Sequence, residues 1–206
     1  MIATGRVDGA LSPTAYTPSF LLGSALVAQG NPTTPQAETS TLTIQGADVR
    51  VVDPVDNSQW MNNDVLTAGT IEPASGATPS YLAISASIMD SGAIAHFLPA
   101  APTVLPGVER PAPAKLAEVY VKFHGTTLGG AYVESDEFLF PVYVCNGCLV
   151  TFPAGSIPTQ PNTTSAYCSG TVASTSTAEA CTPGQDQSID CQQCFALDAV
   201  CDPKFL

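Results

Sequence analysis

Apolar and polar positions alternate through the middle of the chain. In "LAEVYVKFHG", Val119, Val121 and Phe123 fall on one phase and Tyr120, Lys122 and His124 on the other. That period of two predicts a strand with one buried face. In "SYLAISASIM", Leu82, Ile84, Ala86 and Ile88 oppose Tyr81, Ala83, Ser85 and Ser87 in the same way. "STLTIQGADVRVVD" (40–53) alternates with a defect. Leu42 and Ile44 share one phase, Ala47, Val49 and Val51 the other, and the switch comes at Gly46. A β-bulge there keeps both sets facing one core. Further strands are expected at Val65–Ile71 and along "AYVESDEFLFPVYVC", where Phe138, Phe140, Val142 and Val144 alternate with Leu139, Pro141 and Tyr143. Pro141 marks an edge or a bulge. "GAIAHFL" (92–98) follows Asp90-Ser-Gly directly and reads as a hairpin or meander partner of the preceding strand.

The stretches between are turn and loop. "DPVDNSQWMNND" (53–64) is a turn-rich connection carrying the sole tryptophan, Trp60, and the proline-rich 99–115 is a long loop. In residues 1–38 the prolines are spaced so that no helix runs through. An extended arm with one short apolar strand around Phe20–Val27 is expected, the alternative being a disordered leader. With no convincing amphipathic helix, the predicted class is all-β. An antiparallel Ig-like β-sandwich over 39–147 follows the Pro/Thr-rich arm of 1–38 and precedes a loop-rich, disulfide-stapled tail over 148–206. The Cys…Trp…Cys spacing of antibody domains is missing, so the likeness is one of architecture.

Cysteine usage sharpens this division. All seven cysteines (Cys145, Cys148, Cys168, Cys181, Cys191, Cys194, Cys201) lie in the last third of the chain. A small tail without a core of its own is commonly held by disulfides in an oxidising compartment, so the expected localisation is extracytoplasmic. Seven is odd, and Cys201 is the expected unpaired one. One helical turn is expected in "CQQCFALDAVC", where Cys191, Cys194, Leu197 or Asp198, and Cys201 fall at roughly helical spacing.

Charge excludes some partners. Six Lys+Arg face 18 Asp+Glu, for a net charge of -12, and the cations stand singly. No basic patch exists for nucleic acid or for an anionic lipid surface. The apolar run at 19–30 is too short to span a bilayer and lacks the charged flank of a signal peptide. The expectation is a mature form, with room for a lipid anchor on a cysteine lost with the leader.

The candidate chemistry is sparse. C-x-x-C occurs at Cys145/Cys148 and Cys191/Cys194. Two such knuckles suit a Cys₄ zinc site, but the gap is long and Cys168, Cys181 and Cys201 stay unexplained. Disulfides account for more of them. Haem attachment needs a following His, whereas Leu149 and Phe195 stand there. A redox pair wants a helix after the first cysteine, and "NGCLVTFPAG" predicts none. His96 and His124 look isolated, as surface or packing residues, and the sequence shows no catalytic constellation. Acids cluster as Glu134, Asp136 and Glu137, as Asp53, Asp56 and Asp64 with the neutral Asn57 among them, and as Asp186 and Asp190. Sandwich loops of this kind can hold calcium, although solvated loop acids are the plainer reading. Asn162-Thr-Thr is a glycosylation sequon.

The stretch 119–150, with the later "ACTPGQDQSIDCQQC" and "CDP", resembles exported or lipid-anchored proteins of myxobacterial type. These share a β-sandwich body, a "PVxVCxGCL"-like strand end and a "CxPGQDxxxxC"-like tail. The resemblance implies an envelope protein of unassigned activity and transfers no catalytic residue. The expected function is therefore a non-enzymatic envelope or secreted structural or interaction protein, a surface lipoprotein or a subunit of a larger assembly. Protein partners, strand addition by the N-terminal arm and self-association fit this reading, and no cofactor is expected. The alternatives are a zinc module built on the two C-x-x-C pairs and a calcium-assisted extracellular hydrolase.

Overall fold

The computed structural model describes residues 4–12, 14–29, 38–100, 113–152, 156, 167–169, 184–195 and 201–202. In chain order its elements are β1 (Gly5–Asp8), β2 (Ala15–Tyr16), β3 (Ser19–Ser24), β4 (Leu42–Val52), β5 (Gln59–Ile71), β6 (Ser80–Ser85), β7 (Met89–Asp90) and helix α1 (Ser91–Phe97). Then follow β8 (Ala114–Thr127), β9 (Tyr132–Glu134), β10 (Phe138–Cys145), β11 (Val150–Thr151), β12 (Ile189–Asp190) and the helical turn α2 (Cys191–Cys194).

The long strands form one sheet in the order β1-β10-β8-β4-β5, with β9 also paired to β8. Every pairing is antiparallel except that of β1 with β10, where Gly5 faces Val142 and Asp8 faces Cys145 in parallel. The sheet is therefore mixed. A wholly antiparallel sandwich does not describe it, because a four-residue segment near the N-terminus adds the parallel edge. The β-rich class stands, and so does the alternation in β8, whose residues are buried at Ala117, Val119, Val121 and Phe123. The irregularity expected at Gly46 is present. The register of β4 slips between Ile44 and Gly46 against both neighbours, which puts Leu42, Ile44, Ala47, Val49 and Val51 all in the core.

A second layer covers the inner face of this sheet. It consists of the β3–β6 and β2–β7 ribbons and α1. Ile84, Ala86, Ile88, Met89, Ala93, Ile94, Phe97 and Tyr16 pack with Val7, Val49, Val119, Val121, Val142 and Val144 in one core. Residues 5–24 thus pair at three places in the body, through β1, β2 and β3. The apolar strand expected around Phe20 is present as β3.

Two local expectations need correction. Residues 92–98 are not a hairpin strand: α1 spans Ser91–Phe97. Asp90 caps its start, with Oδ1 accepting from the Ala93 N–H at 2.8 Å, as an N-cap aspartate does. Ala93, Ile94 and Phe97 then fall on one buried face. The connection read as 53–64 is shorter than expected, since β5 already begins at Gln59 and carries Trp60. Most of the 99–115 loop and the Asn162 sequon lie outside the described residues.

In the tail, β11 and β12 pair in parallel. Val150 and Ile189 pack with four cysteines into a small second core, against Ala10, Leu11, Phe152 and Phe195. Among the described residues no helix is long and apolar enough to cross a membrane.

Candidate functional site

The "CNGC" turn closes on itself. Cys145 is bonded to Cys148, while Cys168 pairs with Cys191 and Cys194 with Cys201. Cys201 is therefore paired, contrary to expectation, and Cys181 lies outside the described residues. The second C-x-x-C is divided between two different bridges. The zinc alternative needs all four C-x-x-C sulfurs as thiolates, and here all four are in disulfides. No helix follows Cys148, where a turn leads straight into β11. Three disulfides place the tail's chemistry in an oxidising setting.

The joint between body and tail is built from hydrogen bonds around β1. Asp8 is fully buried, and its carboxylate accepts from the N–H groups of Gly147 (2.9 Å), Leu149 (3.1 Å) and Ala10 (3.2 Å). It thereby holds the Cys145–Cys148 turn, whose Gly147 takes a left-handed φ of 80°. On its other side β1 meets the "PGQD" stretch. Asp8 N–H donates to Gly184 at 2.8 Å and Asp186 N–H to Arg6 at 2.9 Å. The Asp186 carboxylate receives the Tyr16 hydroxyl at 2.8 Å and the Arg6 N–H at 2.8 Å. Burial, and then this carboxylate, push the Tyr16 phenol far above its usual pKa. The Gln185 amide reaches the Ser12 hydroxyl and the Ala15 carbonyl. These groups are spent on structure. Asp8 also lies near the sulfurs of Cys145 and Cys148, but those sulfurs are bonded to each other.

Neither histidine is isolated. His96, on the last turn of α1, lies 3.0 Å from Asp53 Oδ2 and stacks on Trp60 with ring centroids 3.5 Å apart. His124 Nε2 lies 2.9 Å from Asp64 Oδ1 on the outer face of the sheet, where Asp48 comes close as well. Lys122 is 3.0 Å from Glu134 and 3.7 Å from Asp48. The Glu134 bond raises the Lys122 ammonium and the Lys122 bond lowers the Glu134 carboxyl from their ordinary values. Arg50 reaches Glu137 at 3.3 Å and lies over the Tyr120 ring at 4.0 Å. Most of these pairings join segments far apart in the chain, so the sequence did not disclose them. Lys122 and Arg50 thus bind Glu134, Asp48 and Glu137 into a surface charge network. Asp56 serves its own turn: hydrogen bonds from Ser58 lower its carboxyl. Asp190 caps α2 through Gln192 N–H at 2.9 Å.

Outside these networks lies an apolar groove of about 840 Å³ between β3 and the β8–β10 end of the sheet. Phe20 from β3 meets Phe123 and Phe140 edge-on, with centroids at 5.4 and 5.6 Å. Phe138 shares the inner face of β10 with Phe140, yet it is 50% exposed, because the second layer stops short of it. The lining takes Phe20 and Leu22 from the inner face of β3 and Leu21, 54% exposed, from the outer. Residues of both faces meet in one groove where it passes round the edge of the strand.

Among the described residues β3 pairs with β6 alone. Phe138–Pro141 pairs with β8 alone, since β1 joins β10 only from Val142 onward. Pro141 thus stands in the edge portion of a strand that is interior further on. Two strand edges with unpaired backbone groups border one apolar groove. Compared with known proteins, the chain matches no family, no curated sequence and no solved structure.

Proposed function

We propose that this is a non-enzymatic structural or interaction protein of the cell envelope or the extracellular space, a surface lipoprotein or a subunit of a larger assembly. The observation that carries the reading is the groove beside β3. A soluble monomer seldom leaves large apolar side chains such as Leu21 and Phe138 exposed around a concavity unless something binds there. The three disulfides support the compartment, and the resemblance read from the strand and tail motifs points the same way. Both histidines, with Asp53, Asp56, Asp64, Glu134, Glu137, Asp186 and Asp190, are engaged in ion pairs, hydrogen bonds, caps and turns, which favours this reading over a hydrolase.

The test is photo-crosslinking in the native cell. A benzophenone side chain placed at Leu21 or at Phe138 is expected to yield a discrete protein adduct in the envelope or secreted fraction. The same group at Val55, 90% exposed on a turn remote from the groove, is expected to give none. Equal labelling at all three positions, or fractionation of the protein with the cytosol, would overturn the proposal.

A further inference from the structure

Resting on the reading of the protein as an interaction module, the geometry points to one occupant of the groove: an extended peptide strand from a partner protein. This strand adds to the free edge of β3, carries apolar side chains at alternate positions, and bears a lysine or arginine at the end that meets Asp136.

Three features on the page select it. The first is backbone chemistry. The open edge of β3 presents N–H and C=O groups at strand spacing, and each prefers a hydrogen-bonding partner to an apolar one. An acyl chain fills an apolar groove but leaves these groups unanswered, whereas a strand satisfies them and repeats its side chains every second residue. The second is the shape of the uncovered surface. The second layer ends at β3, with Phe138 bare on the sheet below. A strand laid along β3 places every other side chain over Phe138 and Phe140 and completes the layer. β3 is six residues long, so the paired stretch is about 20 Å.

The third feature is charge. The lining holds two carboxylates, Asp136 and Asp186, and no lysine or arginine. Asp186 is engaged by Tyr16 and Arg6. The Asp136 side chain has no hydrogen-bond partner among the described residues, so a cation on the incoming strand meets an unoccupied acid. The same argument disfavours a second copy, because two chains of net charge -12 repel one another.

The experiment uses the full oxidised chain and blocked, fluorescein-labelled octapeptides in which Val or Leu alternates with Thr and one end carries Lys. Anisotropy is expected to report saturable binding. Binding is expected to vanish when alternate backbone nitrogens are methylated, and to fall at least about tenfold in Phe138→Ala. Lys→Glu in the peptide is expected to weaken binding, and Asp136→Asn to abolish that preference. Val55→Ala is expected to bind as the parent does, and unchanged thermal unfolding of Phe138→Ala shows that its loss is local. Undiminished binding of the methylated peptide, binding of palmitate in its place, or dimerisation through this face in sedimentation would each overturn the inference. A specific crosslink in cells without peptide binding refutes the strand and leaves the interaction reading standing. The absence of any groove crosslink refutes the interaction reading itself.

Discussion

Replacing Asp8 with Ala probes the joint between body and tail at its centre. The carboxylate is fully buried and takes three backbone N–H groups, those of Gly147, Leu149 and Ala10. The bonds to Gly147 and Leu149 are buried, and the bond to Ala10 is partly so. A buried donor stripped of its acceptor costs about 1–3 kcal/mol. Two such donors give roughly 2–6 kcal/mol. Relief from burying a charge offsets part of this, leaving an expected loss of about 2–4 kcal/mol. In a domain of this size 1 kcal/mol moves Tm by about 2–4 °C, so a loss of about 3 kcal/mol corresponds to roughly 6–12 °C.

The assay is guanidinium unfolding of the oxidised protein, read as a shift of the midpoint at constant slope. Native-state hydrogen exchange adds a local readout, since the Gly147 and Leu149 amides are expected to lose protection in Asp8→Ala. Asp8→Asn keeps one oxygen but turns an amide donor toward a donor, and is expected to fall between Ala and the parent. Asp136→Ala, at an exposed acid without a hydrogen-bond partner among the described residues, is the charge-matched control and is expected to stay within about 0.5 kcal/mol. If Asp8→Ala loses no more than this control, or if the two amides keep their protection, the carboxylate does not hold the disulfide turn and the reasoning fails.

Three further outcomes are expected. The bridges should rank by the chain they enclose: removing Cys168–Cys191, a separation of 23 residues, should cost about 3 kcal/mol, and removing Cys145–Cys148, a separation of 3, about 1.5 kcal/mol; thermal unfolding of the paired Cys→Ala variants in the opposite order would refute this. Tyr16 titrates higher folded than unfolded, so its stabilising contribution is complete below about pH 10, the unfolded value, and is lost as pH rises through the folded one. Stability of the parent should therefore fall on the alkaline side, and Tyr16→Phe should flatten that fall; identical pH profiles would count against the Asp186 contact. Phe97→Ala, at the buried face of α1, should cost about 3–5 kcal/mol in denaturant unfolding, and a loss below 1 kcal/mol would mean that α1 is not part of the core.

Sequence pattern disclosed what is periodic and long. The fourteen-residue β8 and the slip at Gly46 were both legible, because each repeats a phase several times before it changes. Helix α1 was not. Its seven residues include Gly92 and make only two turns, so Ala93, Ile94 and Phe97 give too few positions to separate a period of 3.6 from one of 2. The available signal was Asp90, a good N-cap three residues ahead of Ala93. Cys201 was misjudged for another reason. Its nearness to the chain end says nothing about its partner, Cys194, which is only seven residues back. The histidine pairs were hidden because Asp53 with His96 and Asp64 with His124 are 43 and 60 residues apart, and contacts between distant segments leave no local trace.

The stretches "PVYVCNGCL" and "PGQD" are not joined by a disulfide among the described residues. They are joined by β1. Val7 and Asp8 pair with Val144 and Cys145 on one side, and Val7 bridges Gln185 on the other. Four residues near the N-terminus therefore lie between the strand end and the tail, with the Asp8 side chain turned into the disulfide loop. The "CNGC" bridge itself joins no second module. A bridge of separation 3 can stiffen a turn but cannot reach another module, so attachment has to come from β1 and from the loop that takes up its outer edge. It follows that the tail's docking and the body's folding are coupled through β1. Pulling Gly184–Asp186 away exposes the edge of a strand whose Val7 belongs to the main core. The groove lies a few residues along the same edge of β10, at Phe138–Pro141, where β1 no longer covers it. One strand edge is thus closed by the protein's own N-terminal segment over four residues and left open over the next four. That open part borders the groove opposite β3, the edge inferred to take the incoming strand.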